Sequence, residues 1–125
     1  LDLQAMQTLL LQNNNHQKII LNANGGQVFV DVNDIIYIRA DGSYSDVILV
    51  EDKRLCISKR LAEFEKLMSM NNFFRIHRSH IINLNHIAKI SKVDGGSVFM
   101  SDGVELSISK DKKTELENKL DHLRI

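Results

Sequence analysis

The chain has 125 residues, 43% of them hydrophobic, with one cysteine and no proline or tryptophan. This is enough for one domain with a real core and too little for two comfortable ones; the lone Cys56 excludes an internal disulfide and suits a reducing cytoplasm. Net charge is zero, yet residues 1 to 52 hold two basic and seven acidic residues while residues 53 to 125 hold fourteen basic and nine acidic, so a partner that feels charge over about 8 Å meets local patches rather than the total.

Residues 1 to 11 have helical composition, with Leu3, Met6, Leu9 and Leu10 at helical spacings. A polar, Asn-rich break follows. Residues 1–15 are therefore expected to be an interdomain linker or helix remnant, and residues 16–125 the domain proper. A start at Leu1 rather than Met fits a domain cut from a longer protein. From Gln17 short β-like runs alternate with turns. KIILNA, the hairpin signal Asn24-Gly25-Gly26 and QVFVDV come first. IIYIRA, Asp41-Gly42-Ser43 and YSDVILVE follow, the last a strand whose imperfect alternation predicts burial on both faces at its far end. RLCIS holds Cys56 between Leu55 and Ile57, where a small packed residue is expected.

Ser58 is a plausible N-cap for a helix carrying Leu61, Phe64, Leu67 and Met68 as an apolar stripe. Then come FFRIH, a polar cluster, HIAKISKV, the turn Asp94-Gly95-Gly96, SVFMS and VELSIS. Ser109 is expected to cap a last helix over KDKKTELENKLDHL, with Leu116, Leu120 and Leu123 on one side.

The most informative stretch is FFRIHRSHIINLNHIAK, residues 73 to 89. Arg75, His77, Arg78, Ser79, His80, Asn83, Asn85 and His86 crowd together there with no carboxylate among them. An enzyme site usually mixes acids with bases, whereas a surface of Arg, His, Ser and Asn suits an anion, and DNA is the polyanion most often met this way. Arg78 can pair with guanine O6 and N7, clamp a phosphate, or bridge to a surface acid. His77 can serve a phosphate or satisfy backbone carbonyls. His77, His80 and His86 lack the thiols or carboxylates that would complete a zinc set, and i and i+3 on a strand face opposite ways, so no metal is expected. Asn83 is expected to tie down a turn through its side chain. Lys110, Lys112 and Lys113 gather at a helix start, where the macrodipole disfavours cations unless phosphate, or Asp111 and Glu115, offsets them. Lys89 and Lys92 read as a solvated strand face. There is no Gly-rich phosphate loop, nucleophile elbow or paired-acid arrangement, so neither catalysis nor a cofactor is expected.

With this order of elements the chain resembles the LytTR family of bacterial DNA-binding domains. The resemblance rests on DIIYIRADGSYSDVILV (34 to 50), RLCISKRLAEFEKLM (54 to 68), FFRIHRSHIINLNHIAKI (73 to 90) and VELSISKDKKTELENKL (104 to 120), and spans roughly residues 17 to 122. It implies a mostly β, α+β fold: an elongated stack of small antiparallel sheets with one or two short helices. It further implies sequence-specific duplex DNA binding as the output domain of a two-component response regulator. The implied partners are a second copy of the regulator on DNA and a histidine kinase acting on a receiver domain, with no membrane partner and a cytoplasmic location. The family binds DNA with loops and strand ends, which here implies Tyr44 and Ser45, then His77, Arg78 and Ser79, then Ser109, Lys110 and Lys113. Where some members carry a histidine near Tyr44 this chain has none, and where arginine is common it has Lys110. The other reading of the residues is a β-rich protein-interaction or sensory domain without nucleic-acid binding; a nuclease is a distant third.

Overall fold

A computed structural model describes residues 2–5, 17–70 and 72–125. Residues 3–5 are helical, begun by Asp2, whose carboxylate accepts from the Ala5 N–H at 2.6 Å; the remainder of the expected linker, residues 1 and 6–15, lies outside the described residues, as does residue 16. Among the described residues ten strands form three antiparallel sheets. β1 (Lys18–Ala23) and β2 (Gly26–Asp31) pair alone. Asn24 and Gly25 both take positive φ, 54° and 76°, as a two-residue type I′ turn requires. The central sheet runs β5 (Arg54–Ile57), β4 (Tyr44–Leu49), β3 (Ile35–Asp41), β7 (His80–Asn83), β6 (Phe73–His77). The third runs β10 (Glu105–Ser107), β9 (Ser97–Met100), β8 (Ile87–Ser91). Two short α-helices pack on these sheets, α1 (Glu65–Met70) and α2 (Lys113–Leu120).

The central sheet is covered on both faces, which is why its strands read as near-continuous apolar runs. One core joins Ile35, Ile38, Val47, Ile57 and Ile81 to Leu21 and Val30 of the hairpin and to Leu61, Phe64 and Leu67. The other joins Ile36, Tyr37, Phe74, Ile76 and Ile82 to Val98, Met100 and Leu106 of the third sheet and to Leu116 of α2. A register shift between Ile35 and Tyr37 inserts one residue into β3. Ile36 and Tyr37 therefore serve the same core, where strict alternation would part them. The expected two-faced burial of β4 is present, with Val47 and Leu49 in one core and Ile48 and Val50 against the other.

Several expectations are corrected. The helix after β5 starts later: a 3-10 turn, Leu61–Phe64, has Arg60 at its N-cap position, and Glu63 rather than Ser58 satisfies that end by accepting from the Arg60 N–H at 2.9 Å. Cys56 is exposed, because β5 turns Leu55 and Ile57 inward and the residue between them outward. Leu123 is 67% exposed and takes no part in the core. The polar cluster, expected as a connection, contains a strand, β7.

At one end of the central sheet, polar side chains lock the corners. Asn83 is buried; its amide donates to the Ile35 carbonyl at 2.9 Å and its oxygen accepts from the Asn85 N–H at 3.0 Å, the turn-tying role expected of it. His86 Nε2 meets the Asn33 carbonyl at 2.7 Å, so the proton sits there, and Nδ1 takes the Ser101 hydroxyl at 2.8 Å. Glu51, Asp52 and Asp102 lie at this same end. The loops of interest leave the opposite end.

Candidate nucleic-acid interface

Three segments distant in sequence converge at that opposite end, held by backbone hydrogen bonds. The Ala40 N–H donates to the Ser79 carbonyl at 2.9 Å, which fixes the β3–β4 hairpin beside the β6–β7 turn. The Ser109 N–H donates to the Ile76 carbonyl at 2.7 Å, which fixes the entry of the C-terminal helical segment beside the same turn. The hairpin tip is two residues long, with Gly42 at φ 62° in the first position, the place where a type II′ turn calls for glycine. Tyr44 follows and is exposed.

Arg78 is exposed, and among the described residues no carboxylate pairs with it. Its turn is braced from behind: Arg75 Nη2 donates to the Arg78 carbonyl at 2.7 Å while Nη1 lies 3.7 Å from Glu65. Arg75 belongs to the polar cluster of the sequence, where no role of its own follows for it. Its bond to the Arg78 carbonyl shows that the guanidinium folds back against the turn.

His77 Nδ1 accepts from the Ser79 N–H at 3.2 Å. The neutral ring therefore carries its proton on Nε2, leaving a donor beyond that bond. His80 pairs with His77 across the turn, ring centroids 5.9 Å apart, because the two stand on adjacent strands rather than on one. Burial, then the neighbouring His77 and Arg39, push the His80 pKa down to about 4, so it is neutral near pH 7. Among the described residues no trio of His, Cys, Asp or Glu is grouped to hold a metal, and His86 lies at the other end of the sheet.

The candidate residues do not all reach the surface. Ser45 is fully buried and its hydroxyl donates to the Lys59 carbonyl at 2.6 Å. It is a joint of the fold and leaves the set of groups able to touch a ligand. Ser79 is half-buried, its backbone spent on Ala40 and His77. Ser109 occupies the N-cap position of the 3-10 turn Lys110–Lys112, but its side chain makes no capping bond; its carbonyl instead accepts from the Lys112 N–H at 2.9 Å. Lys110 is exposed and unpaired among the described residues, whereas Lys112 is engaged by Glu115 at 3.5 Å. Lys113 is half-buried and lies over Gly95 and Gly96, close enough that a side chain at Gly96, φ 101°, would meet its stem at 3.3 Å.

The family model of the LytTr DNA-binding domain matches residues 25–121. The chain belongs to this family. Its fold matches a solved LytTr DNA-binding domain from Bacillus cereus with a TM-score of 0.70 and 26% identity, over 82% of this chain and 95% of that one. Among curated proteins it is similar to the CO-responsive transcriptional regulator RcoM of Rhodospirillum rubrum, 34% identical over 69% of this chain and 36% of the relative. It is also similar to the sensory transduction protein LytT of Bacillus subtilis, 29% identical over 82% and 43%. The chain thus spans less than half the length of these relatives, 36% of one and 43% of the other. It is a LytTr DNA-binding domain with the antiparallel, sheet-stacked fold of that family. No helix among the described residues is long and apolar enough to cross a membrane.

Proposed function

We propose that the loop end of the central sheet binds a specific duplex DNA sequence, with Arg78 and Tyr44 turned to base edges and Lys110, His77, Ser79, Ser109 and Lys113 holding the backbone. The observation that carries this reading is the convergence of three loops around Arg78, whose turn is braced through its carbonyl and whose guanidinium has no carboxylate partner among the described residues. A guanidinium carried on a fixed turn is suited to the bidentate guanine contact, because the backbone that presents it is already ordered and its planar fork matches O6 and N7. Lys110, exposed and unpaired among the described residues, suits phosphate. Nothing in this arrangement pairs acids with a base or nucleophile, so the role is recognition without catalysis.

For the whole regulator we propose that two copies bind DNA together, in the cytoplasm, and that residues 1–15 join this domain to a receiver phosphorylated by a histidine kinase. The resemblance to response regulators supports this, as does the similarity to an uncharacterised response regulatory protein of Vibrio cholerae, 26% identical over 65% of this chain and 33% of that protein. The RcoM relatives, two of which are named as heme-containing CO sensors, favour a second reading in which another sensory module stands in place of the receiver.

The test is selection from a random duplex pool, then titration of the selected and an unrelated duplex over a range of salt. Enrichment of one motif, with affinity falling steeply as salt rises, is expected. No enrichment and a flat salt response would overturn the DNA reading in favour of a protein-interaction domain.

A further inference from the structure

The buried Ser45 points to a fourth contact. Its hydroxyl grips the Lys59 carbonyl, and this pins the segment that leaves β5 against the base of the β3–β4 hairpin. Ser45 is also the register partner of Ile57, so Ser58, Lys59 and Arg60 emerge from the same end of the sheet as Tyr44 and Arg78. All three are exposed. Among the described residues the Arg60 guanidinium has no carboxylate partner, and the Lys59 ammonium has only Glu63 at 3.8 Å, both side chains about half exposed. Such a pair is screened by water and weak. Glu63 would remain bonded without it, since its other oxygen accepts the Arg60 N–H.

Position makes these cations more than surface charge. β5 is one edge of the sheet, and the Arg78 turn joins the two strands at the other side. Strands lie about 4.8 Å apart, so three to four spacings separate Lys59 from that turn by roughly 14–19 Å. The major groove is about 12 Å wide. With the Arg78 turn over a groove, the Lys59–Arg60 segment lies above the phosphate wall that bounds it.

We propose that Lys59 and Arg60 grip the phosphates of the DNA strand flanking the groove that Arg78 enters, a contact resting on the DNA reading above. It adds affinity without sequence information and orients the sheet edge across the groove. Ser45 is its positioning residue, acting through the Lys59 carbonyl.

The experiment compares the parent domain, Lys59→Ala/Arg60→Ala, and Lys53→Ala/Arg54→Ala. The last removes two exposed cations from the opposite end of the same strand and controls for net charge. Each is titrated with the selected and an unrelated duplex at several salt concentrations, after circular dichroism shows the fold intact. Each phosphate contact contributes about 0.9 to the slope of log affinity against log salt. The Lys59/Arg60 variant should therefore lose nearly two units of slope and roughly tenfold in affinity near physiological salt, by the same factor on both duplexes. The control should keep the parent slope. An unchanged slope in the Lys59/Arg60 variant, where the parent slope is steep and Arg78→Ala weakens binding, overturns this contact and leaves the DNA reading standing. A loss confined to the selected duplex, or an equal loss in the control, also overturns it. A flat slope in the parent removes the DNA reading itself and this contact with it.

Discussion

The two ends of the central sheet use the same residue types for opposite ends. At the corner end His86, Asn83 and Ser101 spend their side-chain bonds inside the protein, on Asn33, Ile35, Asn85 and one another. At the loop end His77 and Ser79 are tied mainly through one ring nitrogen and the backbone, and Arg78 and Lys110 are exposed without a carboxylate partner among the described residues. A histidine or serine in this sequence is thus no guide to function by itself. What separates structural from ligand-facing polar groups is whether their bonding capacity is already spent, since a buried polar group left unsatisfied costs free energy and an exposed one does not.

The contrast should break most visibly at Asn83. Asn83→Ala leaves the Ile35 carbonyl and the Asn85 N–H without their buried partners and should cost about 2–4 kcal/mol in urea unfolding, while the folded fraction binds DNA as before. A stable Asn83→Ala protein would mean that the corner is not held this way. Arg78→Ala should do the reverse: stability within about 0.5 kcal/mol of the parent, and about 1–3 kcal/mol of DNA affinity lost, most of it on the preferred sequence. Equal loss on all duplexes would reassign Arg78 to phosphate.

Between the two in character stands His80, packed behind the loop end. Its folded pKa of about 4 lies below the ordinary 6.5, so between those values the unfolded chain binds more protons and stability rises with pH. The contribution is fully present above about pH 6.5 and is lost as pH falls toward 4. Allowing for the water that a half-buried ring still meets, about 1 kcal/mol should disappear between about pH 7 and about pH 5. His80→Leu should flatten that part of the profile in thermal melts; an unaltered profile would assign the acid sensitivity elsewhere. The smallest effect is expected at Lys110. Lys110→Ala should lower affinity on every duplex by less than about 1 kcal/mol and the salt slope by about one unit, whereas a shift in the selected sequence on Lys110→Arg would show that this position faces a base.

Much of the fold was legible because strand length, turn residues and apolar patterning agreed. The Asn24-Gly25 turn, the two-faced burial of β4 and the helix bearing Leu116 all follow from local chemistry. β7 is not legible because four residues bounded by His80 and Asn83 are too few to display a period, and only pairing with β3 makes them a central strand. Cys56 was placed inside because strand composition does not say which face of an edge strand is covered. Ser45 shows the limit for the site: the family pattern brings it to the right loop, yet whether its hydroxyl points to solvent or to the Lys59 carbonyl depends on a contact fourteen residues away. Arg75 escaped for the same reason in reverse, since a brace is recognised only by what it reaches.

The central position of β3 has a thermodynamic consequence. Ile35 and Ile38 belong to one core and Ile36 and Tyr37 to the other, so the departure of β3 would open both cores at once. The N-terminal hairpin with α1 and the C-terminal sheet with α2 would otherwise be two small, separately marginal layers. Sharing one strand couples them into a single cooperative unit. The recognition loops, rooted in that strand and its neighbours, are therefore all present together or all lost together.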